Sequence, residues 1–465
     1  MAEPQVVGKI VYIDGNVYVN NSYSADTTGT THSITGEQLI YGTTLDDILA
    51  GANAFSTSQD GSKKWIVIGG YTVMPASQKY TMYVENFNFS GNSLYFDGSH
   101  NLYVDGLVSN YLYPYPKSTK VSKQFRADEG SQPFKVVVKN ATLDTTVAGP
   151  GGVWMFGGNN NDVEVYVDVD LTISGSTMRS FSPGIGMGEN NTDVKGKMYG
   201  NITFDVSDTI INATDERDVY VTKGQVGTTE KSVKVTGSLT NVTFTGRSFR
   251  GIRNAGNGYN VYADFDLTVT GSTTAADFVL GYTQADAEWN GVNTMTVYGS
   301  TAARINAYSN ARSAGTNTFN LVVGKTTIGD KTYTDTVASG VVERWDNITV
   351  EAGAKLQSAS ITLADQEDTT AKFVIEEGAV VNTGAITAID GILTIKAEHK
   401  ENNDQTDDKG QYLRRERRYG SFARSFDVSG IDESGITAAY NNGILELTLP
   451  KQVPVEPETR QIAIN

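Results

Sequence analysis

Apolar and polar residues alternate along most of this chain in short runs, each closed by a glycine or another turn former. The run DVEVYVDVDLTIS (162–174) puts Val163, Val165, Val167, Val169, Leu171 and Ile173 on one side. Asp162, Glu164, Tyr166, Asp168, Asp170 and Thr172 fall on the other. A period of two predicts a half-buried β-strand. GNITFDVS, NVTFTG, DLTVTG, NTMTVYG, NTFNLVVG, NITVEAG and KFVIEEG repeat the theme. Each ends at or near a residue for which positive φ is cheap.

The closing glycines of the later runs are Gly246, Gly271, Gly299, Gly324, Gly353 and Gly378, spaced by 25, 28, 25, 29 and 25 residues. Two segments, DLTISGST (170–177) and DLTVTGST (266–273), are nearly identical. Short strands at a spacing near 25 predict an all-β fold: a long right-handed-type β-solenoid, or β-helix, with one coil per repeat. A single coil cannot bury its apolar side, whereas stacked coils share one core. Coils ~4.8 Å apart would number about 14–15 and make a rod roughly 70 Å long. A string of β-sandwiches would instead show strands every ~8–12 residues and no longer period.

Composition then divides the chain. Residues 1–390 hold 27 Lys/Arg and 41 Asp/Glu, while residues 391–465 hold 10 and 12. The tail is far denser in charge, so a domain boundary is expected there, with a solenoid repeat domain over 1–389. The 465 residues are 39% hydrophobic and 10% aromatic, enough to bury a core. The formal charge of −16 argues against nucleic acid or anionic lipid as a partner. There is no cysteine, which removes disulfides and thiolate metal sites and leaves the compartment open.

The start, MAEPQVVGKIVYIDG, has no basic n-region or long apolar h-region, and no stretch is apolar for the ~18–20 residues that cross a bilayer. Read literally, the chain is unexported and does not insert in a membrane. AEPQ after the initiator Met reads equally as a mature N-terminus with its signal removed, which would place the protein outside the cell or on its surface.

Several features invite a chemical reading. Asp97, His100 and Asp105 in LYFDGSHNLYVDGL (94–107) resemble a rung of polysaccharide-cleaving β-helices, which gather carboxylates for acid–base work or Ca²⁺. Asp-Gly pairs also simply make turns. Tyr111, Tyr113 and Tyr115 in YLYPYPK form either an aromatic platform for sugar rings or a proline-stiffened loop. Asp162, Glu164, Asp168 and Asp170 read as a cation site or as a solvated sheet face. The sequons at Asn140, Asn201, Asn241 and Asn347 are expected by chance in Asn/Thr-rich strands. GGVWMFGG (151–158) has too few phosphate-binding features for a nucleotide loop. His32, His100 and His399 are far apart in sequence. No catalytic, cofactor or metal constellation is expected, and the solenoid reads as a non-catalytic scaffold or adhesive surface.

The tail carries sharper landmarks. GILTIKAEHK (391–400) alternates like a core strand, and ENNDQTDDKGQYLRRERRYG (401–420) is a charged segment with Arg414, Arg415, Arg417 and Arg418 around Glu416. SFARSFDV (421–428), AAYNNGILELTLPK (438–451) with Ala439, Gly443 and Leu445, and a closing Ile462-Ala463-Ile464 follow in order. In this the tail resembles the later half of the α-crystallin domain of bacterial small heat-shock proteins. The solenoid, more loosely, resembles bacterial surface or secreted β-helix proteins such as autotransporter passengers.

The resemblance implies a partial α-crystallin domain over 390–451 and a C-terminal extension over 452–465 ending in an I-x-I anchor. It implies that 401–420 is a loop and exchange strand that reaches into a partner subunit. Arg414, Arg415, Arg417, Arg418, Tyr419, Phe422, Gly443, Leu445, Ile462 and Ile464 are then the oligomer and client contacts. The implied activity is ATP-independent holding of unfolding clients by a homo-oligomer. The strands that open such a domain have no clear counterpart before 390, unless solenoid strands such as GAITAI (384–389) supply them. The alternative is a secreted or cell-surface adhesin with host ligands, in which the tail only caps or oligomerises the rod. A carbohydrate-active enzyme is disfavoured because no acid–base set is visible. A small heat-shock tail on its own would indicate the cytoplasm.

Overall fold

In the computed structural model the side chains are described for residues 101–114, 133–143, 151–156, 163–186, 196–212, 219–246, 248–253, 259–282, 287–310, 312–364 and 372–383. For the strands at 5–7, 10–12, 65–68, 81–85, 93–96, 123–125, 386–387, 392–406, 412–427, 437–441 and 444–448 the backbone and its pairing are described. Among these residues every element is a β-strand, and no helix is long and apolar enough to cross a membrane.

The alternation read from 162–174 is the solenoid's building rule. Val163, Val165, Val167, Val169, Leu171 and Ile173 are all buried, while Glu164, Tyr166, Asp168, Asp170 and Thr172 are partly exposed. Long strands of this kind stack in parallel: Asn101–Asp105, Phe134–Lys139, Val169–Ser174, Ile202–Ser207, Val233–Thr240, Val261–Thr270, Trp289–Tyr298, Asn317–Gly324, Asn347–Val350 and Lys372–Ile375. One inward column runs Leu102, Val136, Leu171, Phe204, Gly237, Leu267, Met295, Leu321, Ile348 and Phe373. Gly237 belongs there because a Cβ at that position would run into the Phe204 ring.

After each long strand from Phe134–Lys139 to Trp289–Tyr298 the chain turns a corner into a two-residue strand, such as Thr177–Met178 or Thr273–Thr274. A third strand closes the coil: Tyr111–Tyr113, Gly152–Phe156, Ser180–Ile185, Val219–Lys223, Phe249–Arg253, Asp277–Thr283 and Arg304–Asn310. The three walls enclose one continuous apolar core running from Leu102 to Ala379.

The corner is a column of left-handed residues. Gly106, Asn140, Gly175, Asp208, Asn241, Gly271 and Gly299 have φ of 71, 48, 56, 47, 54, 57 and 51°. Only Gly, Asn and Asp visit this region cheaply. Just beyond it sits a buried hydroxyl. The Oγ atoms of Ser176, Ser272 and Ser300 and the Thr209 Oγ1 donate to the carbonyl two residues back. Ser176, Ser272 and Ser300 also accept the amides of Ala141, Val242 and Ser272 from the preceding coil. The near-identical octapeptides at 170 and 266 are two copies of this strand and corner.

The coils are fewer and longer than a 25-residue period implies. From Asn101 onward, cross-coil hydrogen bonds link residues 34 and 35 apart, then 33, 30, 28, 26 and 27, and 25 in the last coil. The glycine spacing misleads because two of the glycines lie off the corner. Asn241, not Gly246, occupies it, and Gly324 pairs with Tyr298 one residue short of it. The estimate of about 14–15 coils therefore does not hold.

At the other end, Ile386–Thr387 pairs with Ile361–Thr362 as a last solenoid rung. Two antiparallel hairpins follow: Ile392–Thr406 with Tyr412–Asp427, and Thr437–Asn441 with Ile444–Thr448.

Candidate functional site

The basic run of the tail lies in the longer hairpin. Its register places Arg415 opposite Asp404, Arg418 opposite Glu401, Arg414 opposite Gln405 and Arg417 opposite Asn402. Tyr419 faces Lys400 across the ladder and Phe422 faces Ala397. Two arginine positions are thus paired in register with acidic positions, a cross-strand pattern that favours opposite charges. Leu445 pairs with Tyr440 in the second hairpin. The segment expected as a loop and exchange strand is instead strand paired within the chain as far as Thr406 and Tyr412. Gly443, Ile462 and Ile464 lie outside the described residues.

The solenoid's sequence candidates do not assemble into a catalytic set. Asp97, His100, Tyr115 and Asp162 lie outside the described residues. Asp105 accepts the Asn140 side-chain amide at 2.8 Å, across the corner column. Asp168 accepts the Asn201 backbone amide at 2.7 Å, and Asp170 is 3.7 Å from Lys135. Glu164 accepts from Lys197 Nζ at 3.1 Å and from Tyr166 Oη at 3.0 Å. The Tyr166 ring stacks on Tyr199 at 4.8 Å. Burial raises the Tyr199 phenol above its ordinary value, with Lys197 opposing and Glu164 reinforcing. Each acid is engaged by a residue of a neighbouring coil, and no group of three metal-ligating side chains forms among the described residues. The four sequon asparagines serve the solenoid: Asn140 and Asn241 turn corners, while Asn201 and Asn347 hydrogen-bond to the coil before.

Where the structure does gather chemistry is the third wall. Tyr111 and Tyr113 stack at 5.3 Å, and both meet Trp154 edge-on, at 6.2 and 5.9 Å. Tyr113, Trp154 and Tyr220 form a buried cluster separate from the core, with Tyr111 and Tyr282 packed against it. Lys223 Nζ lies 4.0 Å from the Tyr220 centroid. Arg253 lies 4.8 Å from Tyr282 and 5.7 Å from Tyr220, and Arg250 lies 5.3 Å from Tyr282. Arg250 Nη1 also donates to Ser309 Oγ at 3.1 Å.

Sequence reading reached only Tyr111 and Tyr113, because the other members come from coils dozens of residues apart. GGVWMFGG, set aside as a poor nucleotide loop, contains the fully buried strand Gly152–Phe156 that carries Trp154.

Comparison with known proteins defines the class of the tail. Residues 384–465 match the model of the Hsp20/alpha crystallin family. This end of the chain is an Hsp20/alpha-crystallin domain of small heat-shock type, attached to a β-solenoid. Among curated proteins it is 42% identical over 73 residues to the 18 kDa heat shock protein of Clostridium acetobutylicum, covering 16% of this chain and 48% of that one. It is 39% identical over 75 residues to Small heat shock protein C2 of Rickettsia felis, covering 16% and 46%. It is 33% identical over 70 residues to Spore protein SP21 of Stigmatella aurantiaca, covering 15% and 41%. The chain therefore spans about half the length of the curated relatives it matches. No solved structure matches it. The family match starts at 384, ahead of the composition boundary, so its first strand is the solenoid's last rung.

Proposed function

We propose that the chain is an ATP-independent holdase, in which a small heat-shock module is carried on a non-catalytic β-solenoid scaffold. The observation that carries this reading is the match of residues 384–465 to the Hsp20/alpha crystallin family. In such proteins exposed apolar strand edges hold unfolding clients, and assembly into oligomers presents many edges at once. Arg414, Arg415, Arg417, Arg418, Tyr419 and Phe422 would serve subunit contact, since an arginine fork suits a carboxylate on a neighbouring strand. Ile462 and Ile464 would anchor one subunit to another as a short added strand, with Gly443 and Leu445 shaping the strand near that contact. Light scattering of a heat-stressed client enzyme tests the reading. Suppressed scattering with the full-length chain and no nucleotide is expected, and unchanged scattering at several-fold molar excess would overturn it.

A further inference from the structure

The wall of long strands stops at Lys372–Ile375, which pairs with Asn347–Val350 on one edge. Among the described residues no strand pairs with its other edge. The core is open there. Ile348, Val350 and Leu356 of the preceding coil are 0–1% exposed, whereas Phe373, Ile375 and Val381 are only partly buried. The Lys372 and Glu376 amides donate to the Asp346 and Val350 carbonyls at 2.9 Å. Strand alternation therefore turns the Phe373 and Ile375 amides toward the other edge. A terminal coil needs a cap, because an open edge beside an open core invites association.

The opposite end of the same wall shows how such a cap is built. Thr81–Glu85 pairs with Asn101–Asp105 on one edge and takes Ile10–Tyr12 on the other, with Gln5–Val7 paired beyond it as a hairpin. At the far end a hairpin is again next in the chain, with Ile392–Thr406 paired to Tyr412–Asp427 along one edge.

We infer that residues 392–395 form the closing rung of the solenoid, laid parallel on the outer edge of Lys372–Ile375. The preceding rung ends with Thr387 paired to Thr362. One coil earlier, the crossing from that position to the long-strand wall takes four residues, from Glu343 opposite Thr362 to Asn347 opposite Lys372. Ile392 stands five residues beyond Thr387, enough to reach the place opposite Lys372. That register gives Leu393 and Ile395 the inward columns of Phe373 and Ile375. Thr394 takes the outward row of Val374, and Lys396 falls beside Glu376. A second copy could offer the same strand, but the short tether gives the chain's own segment the higher effective concentration. The Hsp20 module is then held to the solenoid by a shared sheet, not by a free linker.

Cross-linking tests this, and the absence of native cysteine keeps it clean. A full-length Val374→Cys/Thr394→Cys variant, oxidised with copper phenanthroline, should form a disulfide that runs at monomer mass on a denaturing gel. It should form about tenfold more than in Val374→Cys/Gln405→Cys, whose second site lies further along the same strand. If the first variant does not fold, amide exchange in the wild-type chain decides. The Phe373 and Ile375 amides should exchange about a hundredfold more slowly than in an unfolded peptide, at every protein concentration. Equal or absent cross-linking in the two variants, or rapid exchange at these amides, would overturn the closing rung. A disulfide at dimer mass, or protection that grows with protein concentration, would overturn it by placing a second copy on the edge.

Discussion

Asn241 and Gly271 occupy the same corner of successive coils, at φ of 54° and 57°. The Asn241 amide donates to the Thr270 carbonyl beside Gly271, and the Asn241 Oδ1 accepts from Tyr333 Oη at 2.8 Å. A Cβ at Gly271 would stand 2.8 Å from that same Oδ1 and collide with the Tyr333 ring. Gly271→Val should therefore cost about 2–4 kcal/mol through backbone strain and collision together. Asn241→Gly, which keeps the corner and loses the side-chain bonds to Tyr333 and Asp208, should cost about 1–2 kcal/mol. Denaturant titration of both variants checks the order. Equal losses would mean that the corner conformation is not what limits these positions.

The hydroxyl beside the corner gives a second expectation. Ser272 is fully buried and accepts the Val242 amide at 3.0 Å, while its own hydroxyl lies within bonding distance of the Leu239 and Thr270 carbonyls. Ser272→Ala would leave a buried amide unpaired and should destabilise by about 1–3 kcal/mol. Amide hydrogen exchange at Val242 should accelerate in that variant. Unaltered exchange would show that the hydroxyl ladder does not hold the coils together.

How much of this was legible in the sequence varies from residue to residue. The alternation in 162–174 predicted its buried face residue by residue, since a period of two admits one inward set. The repeat length was misread because Asn140, Asp208 and Asn241 do at the corner what glycine does. A scan for glycine alone skips those coils and settles on Gly246. The aromatic–cation wall was mostly hidden because Trp154, Tyr220 and Tyr282 each come from a different coil, joined only by the register. The tail was legible because its landmarks are local and ordered. Its pairing was not, since residues 401–420 are as compatible with a loop as with a strand until Asp404 is set opposite Arg415.

Alkaline stability should report on Tyr308, which is buried between the charges of Arg312 and Arg344. Burial raises its phenol above the ordinary value and outweighs the lowering by Arg312 and Arg344. A raised folded value adds stability that is complete below the unfolded value near ~10 and is lost as pH climbs through the folded one. The melting midpoint should hold up to about pH 10 and fall above it, and fall less in Tyr308→Phe. An identical fall in the variant would contradict the assignment.

Subunit assembly supplies a fourth expectation. Ile462→Ala with Ile464→Ala removes both apolar side chains of the proposed anchor and should shift the chain to smaller species in light scattering coupled to size exclusion. An Arg415→Glu change places like charges opposite each other at Asp404 and should weaken the hairpin by roughly 0.2–1 kcal/mol. If neither change alters the size distribution, the tail does not drive assembly.

The central claim is that client holding resides in the Hsp20/alpha-crystallin end of the chain. It is tested most directly by comparing the full-length protein with a variant lacking residues 391–465, each mixed with a heat-stressed client enzyme at matched molar ratios. The account predicts that the full chain keeps the client soluble without nucleotide and that the shortened chain, still melting cooperatively as a solenoid, does not. Equal suppression by both proteins, or none by either, would contradict it.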